Sequence, residues 1–124
     1  MCEHSLYVVQ SNPVPGREEE FHDWYTSRHL PEMLTVPGFA SAQRFAASPV
    51  LRTPATPPSR YSCLAIYEVT GDPRLAFAAL ARARESGTVT RSPAIASDLA
   101  AYLFDPVTPR LVAPTASGLF PGIA

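Results

Sequence analysis

The amino-acid sequence predicts an α+β fold of the split βαβ type, in which strand, helix, strand, strand, helix and strand form a four-stranded antiparallel sheet with both helices on one face. Three stretches carry this expectation. REEEFHDWYTSRHL, from Arg17, spaces its large side chains at helical intervals; YSCLAIYEV, residues 61–69, alternates like a strand; GDPRLAFAALARARESG, from Gly71, holds a helix between a start and a stop signal.

Taken in order, SLYVVQS at residues 5–11 is rich in β-branched and aromatic residues, and NPVPG then stops it, so it reads as the first strand. In the first helix Glu18, Glu19 and Glu20 favour the positive end of the helix dipole, and Phe21, Trp24, Tyr25 and Arg28 follow at spacings of three and four. Pro31 is expected to end or tighten this helix, because a proline pushes the preceding residue out of the helical basin. TVPGFASAQRF, residues 35–45, turns and then enters a second strand ending on Phe45. Residues 46–60 hold four prolines without periodicity and read as a long loop. In the third strand Tyr61, Cys63, Ala65, Tyr67 and Val69 share one face, and both faces are apolar enough to be covered. The second helix has Asp72 as its cap, Pro73 at its first position and Gly87 just past its end. A last strand falls around residues 101–104. The expected organisation is one domain over residues 1–105 and an extended tail over 106–124.

Composition narrows the function classes. An apolar fraction of 46% and a charged fraction of 17% describe a globular chain. A net charge of -1 supplies no field to gather polyanions, so nucleic acid is not an expected partner. Every basic residue is arginine, which removes lysine Schiff-base chemistry. Cys2 and Cys63 read as free thiols in a reducing cytoplasm, and no apolar run is long enough to span a membrane. The helices leave one sheet face uncovered; with Leu6, Val8, Leu64 and Ile66 there, two copies packing sheet on sheet form the expected homodimer.

The chemistry-bearing cluster is HDWYTSRHLPEML, residues 22–34. On a helical wheel of about 100° per residue, His22, Tyr25 and His29 fall within about 60° of one another, and all three can face the sheet. A histidine there can exchange a proton near neutral pH, with a phenol to orient it; equally, it can simply cap a carbonyl. His22 and His29 lie two turns apart, about 10 Å along the axis, too far for one metal ion, so no metal site is expected. Asp23 reads as solvent-facing. Arg44 can grip a carboxylate or enolate, or remain a solvated strand residue. Tyr61 and Tyr67, with small residues between them, can wall a cavity or merely pack. Cys63 lacks any visible activating neighbour.

Tyr25, His29 and Pro31 in a Y-x-x-x-H-x-P arrangement, followed by the V-P-G-F turn, resemble the EthD-like group of the dimeric α+β barrel superfamily, and YSCLAIYEV with GDP and a second helix extends the likeness over about residues 5–105. The resemblance implies a ferredoxin-like subunit, a dimer through the sheets, and a pocket between sheet and helices in which proton transfer runs on a small oxygenated molecule without a cofactor. It also implies that His29 is the acting histidine.

Spacing and resemblance together predict a lyase, isomerase or cyclase acting on an oxygenated organic acid, lactone or polyketide-like substrate. His29 would be the general acid/base, Tyr25 its companion, His22 or Tyr67 an auxiliary donor, and Trp24 and Arg44 the residues that shape and orient. The alternatives are a cofactor-independent monooxygenase, a non-catalytic metabolite-binding dimer, and a haem-handling protein with an axial histidine.

Overall fold

The computed structural model describes residues 4–50, 54–55 and 58–114. Four strands, β1 (Ser5–Ser11), β2 (Phe39–Ala46), β3 (Cys63–Val69) and β4 (Ala100–Phe104), form one antiparallel sheet in the order β2-β3-β1-β4. This is the ferredoxin-like order, with the first and third strands central. The register pairs Tyr7 with Tyr67 and with Leu103, which sets the odd-numbered residues of β1 and β3 on the helix-covered face. Cys63, Ala65, Tyr67 and Val69 are buried there, while Leu64, Ile66 and Glu68 on the other face are only half-buried. The third strand is thus covered on one side alone, because the described residues put both helices on the same face.

The second helix, α3 (Pro73–Glu85), follows its sequence signals. The Asp72 side chain accepts from the Arg74 backbone N–H at 2.9 Å, Pro73 fills the first turn, and Gly87 leaves the helix at φ +82°. Its apolar face sets Ala76 and Leu80 into the core.

The first helix departs from expectation. It does not stop at Pro31: α1 (Glu18–Trp24) runs into a π-helical turn (Tyr25–His29) and then into α2 (Leu30–Met33). Leu30, the residue before the proline, keeps a helical φ of −61° and ψ of −48°, and its N–H reaches back five residues to the Tyr25 carbonyl. Proline has no N–H and its ring crowds the carbonyl four residues before it; a wider turn relieves that crowding, so the helix is loosened here and not tightened.

The π turn decides which side chains face inward. Phe21, Tyr25, His29 and Met33 are four apart, and in a continuous α-helix this spacing would drift by about 40° per step. The extra residue taken up by the π turn cancels most of that drift. Phe21, Tyr25 and Met33 are buried and His29 is half-buried, whereas His22 is exposed. Arg28, placed by the wheel beside the apolar stripe, points outward and pairs with Glu32 at 3.6 Å. After α2, the chain turns at Gly38, whose φ of +98° and missing Cβ let Ala76 of α3 pack directly on it.

The open sheet face carries Leu6, Phe45, Tyr102 and Phe104 at 36–58% exposure, and none of the described residues covers it. Residues 106–114 are exposed and irregular. No helix among the described residues is long and apolar enough to cross a membrane. Cys63 is a buried free thiol, and Cys2 lies outside the described residues.

Candidate active site

A cavity of about 410 Å³ opens on the helix-covered side of the sheet. Trp24, Tyr25, His29 and Met33 of the first helix form one wall, and Tyr7, Val9 and Ala101 of β1 and β4 form the floor. The remaining wall comes from the end of α3 and the connection to β4, through Arg84, Thr90, Arg91, Ser92 and Ile95. The size is that of a small-molecule site.

His29 is held between aromatic rings. It stacks on Trp24 at 4.6 Å between centroids with planes 26° apart, meets Tyr25 edge-on at 5.1 Å, and has Tyr67 behind it at 6.5 Å. Its Nδ1 is buried and has no hydrogen-bond partner among the described residues. Burial, reinforced by the positive charge of Arg84 and, to a smaller degree, Arg91, lowers the imidazole pKa from 6.5 to about 4, against the opposing pull of Glu32 and the Thr90 backbone. The ring is therefore neutral at pH 7.

Tyr25 and Tyr67 stand as neutral phenols. Burial raises the pKa of Tyr25, and the nearby Tyr67 and Ser11 hydroxyls and the Arg44 charge draw it part of the way back. Burial also raises that of Tyr67, helped by Tyr25. The Tyr67 and Ser11 hydroxyls come near this group without reaching hydrogen-bond geometry, and both are buried and unpaired.

A second layer fixes the cavity wall. Glu32 accepts from the Thr90 backbone N–H at 2.9 Å and from the Thr90 hydroxyl at 2.8 Å, and the Trp24 indole N–H reaches that hydroxyl at 3.4 Å. Although burial disfavours the charged carboxyl, the two Thr90 bonds and Arg28 outweigh it and lower the Glu32 pKa. The same connection is tied to the β1–α1 loop, where Val14 N–H donates to the Ala94 carbonyl at 2.7 Å and Ala96 N–H to the Asn12 carbonyl at 2.9 Å.

Of the residues singled out in the sequence, the structure brings His29, Tyr25 and Trp24 together on the cavity and sets Tyr67 behind them. It does not bring in the others. His22, in α1 ahead of the π turn, is exposed on the flank where its Nδ1 accepts from the Arg44 guanidinium at 2.9 Å. Arg44 passes beneath the helix, 4.7 Å from the Tyr25 ring centroid and 5.6 Å from that of Phe21, and ends on the Thr26 hydroxyl at 2.7 Å. It backs the Tyr25 ring instead of meeting a ligand. Tyr61 precedes the strand and donates to Asp98 at 3.2 Å, with Arg60 over its ring, away from the cavity. Arg84, Thr90, Arg91 and Glu32 were not singled out: Arg84 reads as an ordinary last-turn cation, and the connection after α3 has no periodicity to place its side chains.

Among the described residues, no three or more His, Cys, Asp or Glu side chains gather as a metal site. Compared with known proteins, the chain matches no family model and no curated protein. Among solved structures it is similar to an ethyl tert-butyl ether D (EthD) family protein from Bacillus halodurans C-125, with 12% identity, a TM-score of 0.49, and 84% of this chain and 99% of that chain covered.

Proposed function

We propose that this protein is a small-molecule enzyme of the lyase, isomerase or cyclase type, in which His29 moves a proton on an oxygenated organic substrate bound in the cavity. One observation carries the reading: a neutral imidazole, clamped by Trp24 and Tyr25, lines a void large enough for a ligand. A neutral ring offers a lone pair to a substrate C–H or O–H, and the two aromatic contacts hold it in one orientation before the substrate arrives. Tyr25, kept protonated by burial, stays a donor and supports the negative charge that develops when the proton leaves. No step in this scheme draws on a group from outside the chain.

The working unit in this reading is a homodimer. Leu6, Phe45, Tyr102 and Phe104 form an apolar face that a second copy would hide.

The test is deuterium incorporation, followed by proton NMR, into a panel of enolisable aromatic acids and lactones incubated with the protein in D₂O. Wild type should exchange or convert at least one compound, and His29→Gln should be slower by about 10²–10⁴-fold. Equal rates in the two proteins would remove His29 from the mechanism. Dioxygen uptake in the same mixtures would assign the monooxygenase branch instead. The low proton affinity of His29 also supports a second reading, metabolite binding without turnover, in which the ring only accepts a hydrogen bond. Ligand-induced stabilisation with no product formed would select it.

A further inference from the structure

We propose that the cavity takes a small organic carboxylate, with Arg84 and Arg91 as its anion anchors and the apolar wall around Trp24 as the seat of its hydrocarbon body. This rests on the cavity being the ligand site, and it names the class of ligand.

The charge census of the wall points one way. Its charged residues are two arginines, and no Asp or Glu lines it. Four other arginines are paired with carboxylates, Arg17 with Glu20, Arg28 with Glu32, Arg60 with Asp98 and Arg74 with Asp72, while Arg44 is held by His22 and Thr26, and Arg82 and Arg110 have no carboxylate partner among the described residues. Among the described residues, Arg84 and Arg91 have no such partner. The carboxylate that acts on His29, Glu32, is already engaged by Thr90 and Arg28 and is not free to neutralise them. Both arginines are exposed at the cavity wall and free to meet an incoming anion, and a carboxylate offers two oxygens to guanidinium forks.

The anchors also sit on a fixed backbone. Arg84 belongs to the last turn of α3, and Arg91 lies between Thr90, pinned by Glu32, and Ser92, whose hydroxyl accepts from the Ala94 N–H at 3.0 Å. Beside them, Tyr7, Val9, Ile95 and Leu99 give the cavity an apolar lining suited to a ring or chain. The arrangement discriminates by charge at one end and by shape at the other. An anion between the arginines would also remove the repulsion they exert on a protonated His29, so that ligand entry raises the basicity of the proposed base.

The test uses the full chain and the fluorescence of Trp24, the single tryptophan, which forms part of the wall. Benzoate, phenylacetate and 3-phenylpropionate are each titrated beside the matching neutral amide. At least one carboxylate should bind tenfold or more tightly than its amide. Arg84→Gln and Arg91→Gln should each weaken carboxylate binding by on the order of tenfold, as expected for loss of a charge-assisted hydrogen bond, and leave the amide unchanged. Circular dichroism confirms that each variant is folded. Equal affinity for acid and amide, a preference that survives in the double variant, or no response to any carboxylate would overturn the proposal. His29→Gln should keep the preference, so a failure of the proton-transfer reading and a failure of the anion anchors are told apart.

Discussion

Replacing His29 by glutamine should remove most of the acid sensitivity of folding between pH 7 and 4.5. The neutral ring is what the fold accepts: burial and the Arg84 and Arg91 charges oppose protonation, Glu32 and the Thr90 backbone favour it, and the balance lowers the pKa from 6.5 to about 4. A folded-state pKa below the unfolded value means that the unfolded chain binds the proton first. Stability held above pH 6.5 is then lost as pH falls towards 4, with a slope approaching 1.4 kcal/mol per pH unit and a total of about 3 kcal/mol. Urea denaturation followed by circular dichroism at pH 7.0, 6.0, 5.0 and 4.5 measures this directly. Wild type should lose about 2 kcal/mol more than His29→Gln across that range, with the excess concentrated below pH 6.5. The Glu32 carboxyl, whose pKa is lowered, is common to both proteins and costs stability only below its ordinary range. Parallel pH profiles for the two proteins would show that the imidazole is not held neutral by its surroundings.

Further outcomes follow from the same structure. Gly38→Ala should destabilise the protein by about 2–4 kcal/mol in denaturant melts, since the added Cβ would lie 2.7 Å from Ala76 Cβ at a φ of +98°. Glu32→Ala should cost about 2 kcal/mol by leaving the Thr90 N–H unpaired, and hydrogen exchange at the Thr90 amide should accelerate. If the open apolar face is the proposed dimer interface, Tyr102→Glu, at a residue 58% exposed on that face, should shift the mass from that of a dimer to that of a monomer in light scattering behind size exclusion; an unchanged mass would place any interface elsewhere.

Much of the scaffold was legible because its signals are local. Asp72, Pro73 and Gly87 bound α3 by chemistry that any helix end requires, and the alternation of Cys63, Ala65, Tyr67 and Val69 announces the buried face of β3. The site was legible only in part. A helical wheel assumes a constant advance per residue; the π turn before Pro31 breaks that assumption, carrying His29 inward and leaving His22 outside. Pro31 was the visible clue, since a proline within a helical pattern must either end it or deform it. Arg44 has the donors to grip an anion, yet the Phe21 and Tyr25 rings and Thr26 occupy it. Arg84, Thr90 and Arg91 reach the cavity only through tertiary ties such as the Glu32–Thr90 pair, and no sequence period encodes those.

Whether His29 stands as a neutral base against the cavity is tested most directly by proton–carbon NMR titration of its ring, assigned by comparison with His29→Gln. The resonance should titrate with a midpoint at about 4, well below the ordinary 6.5. A midpoint at the ordinary value would contradict the account, because it would describe a solvated histidine at a helix edge.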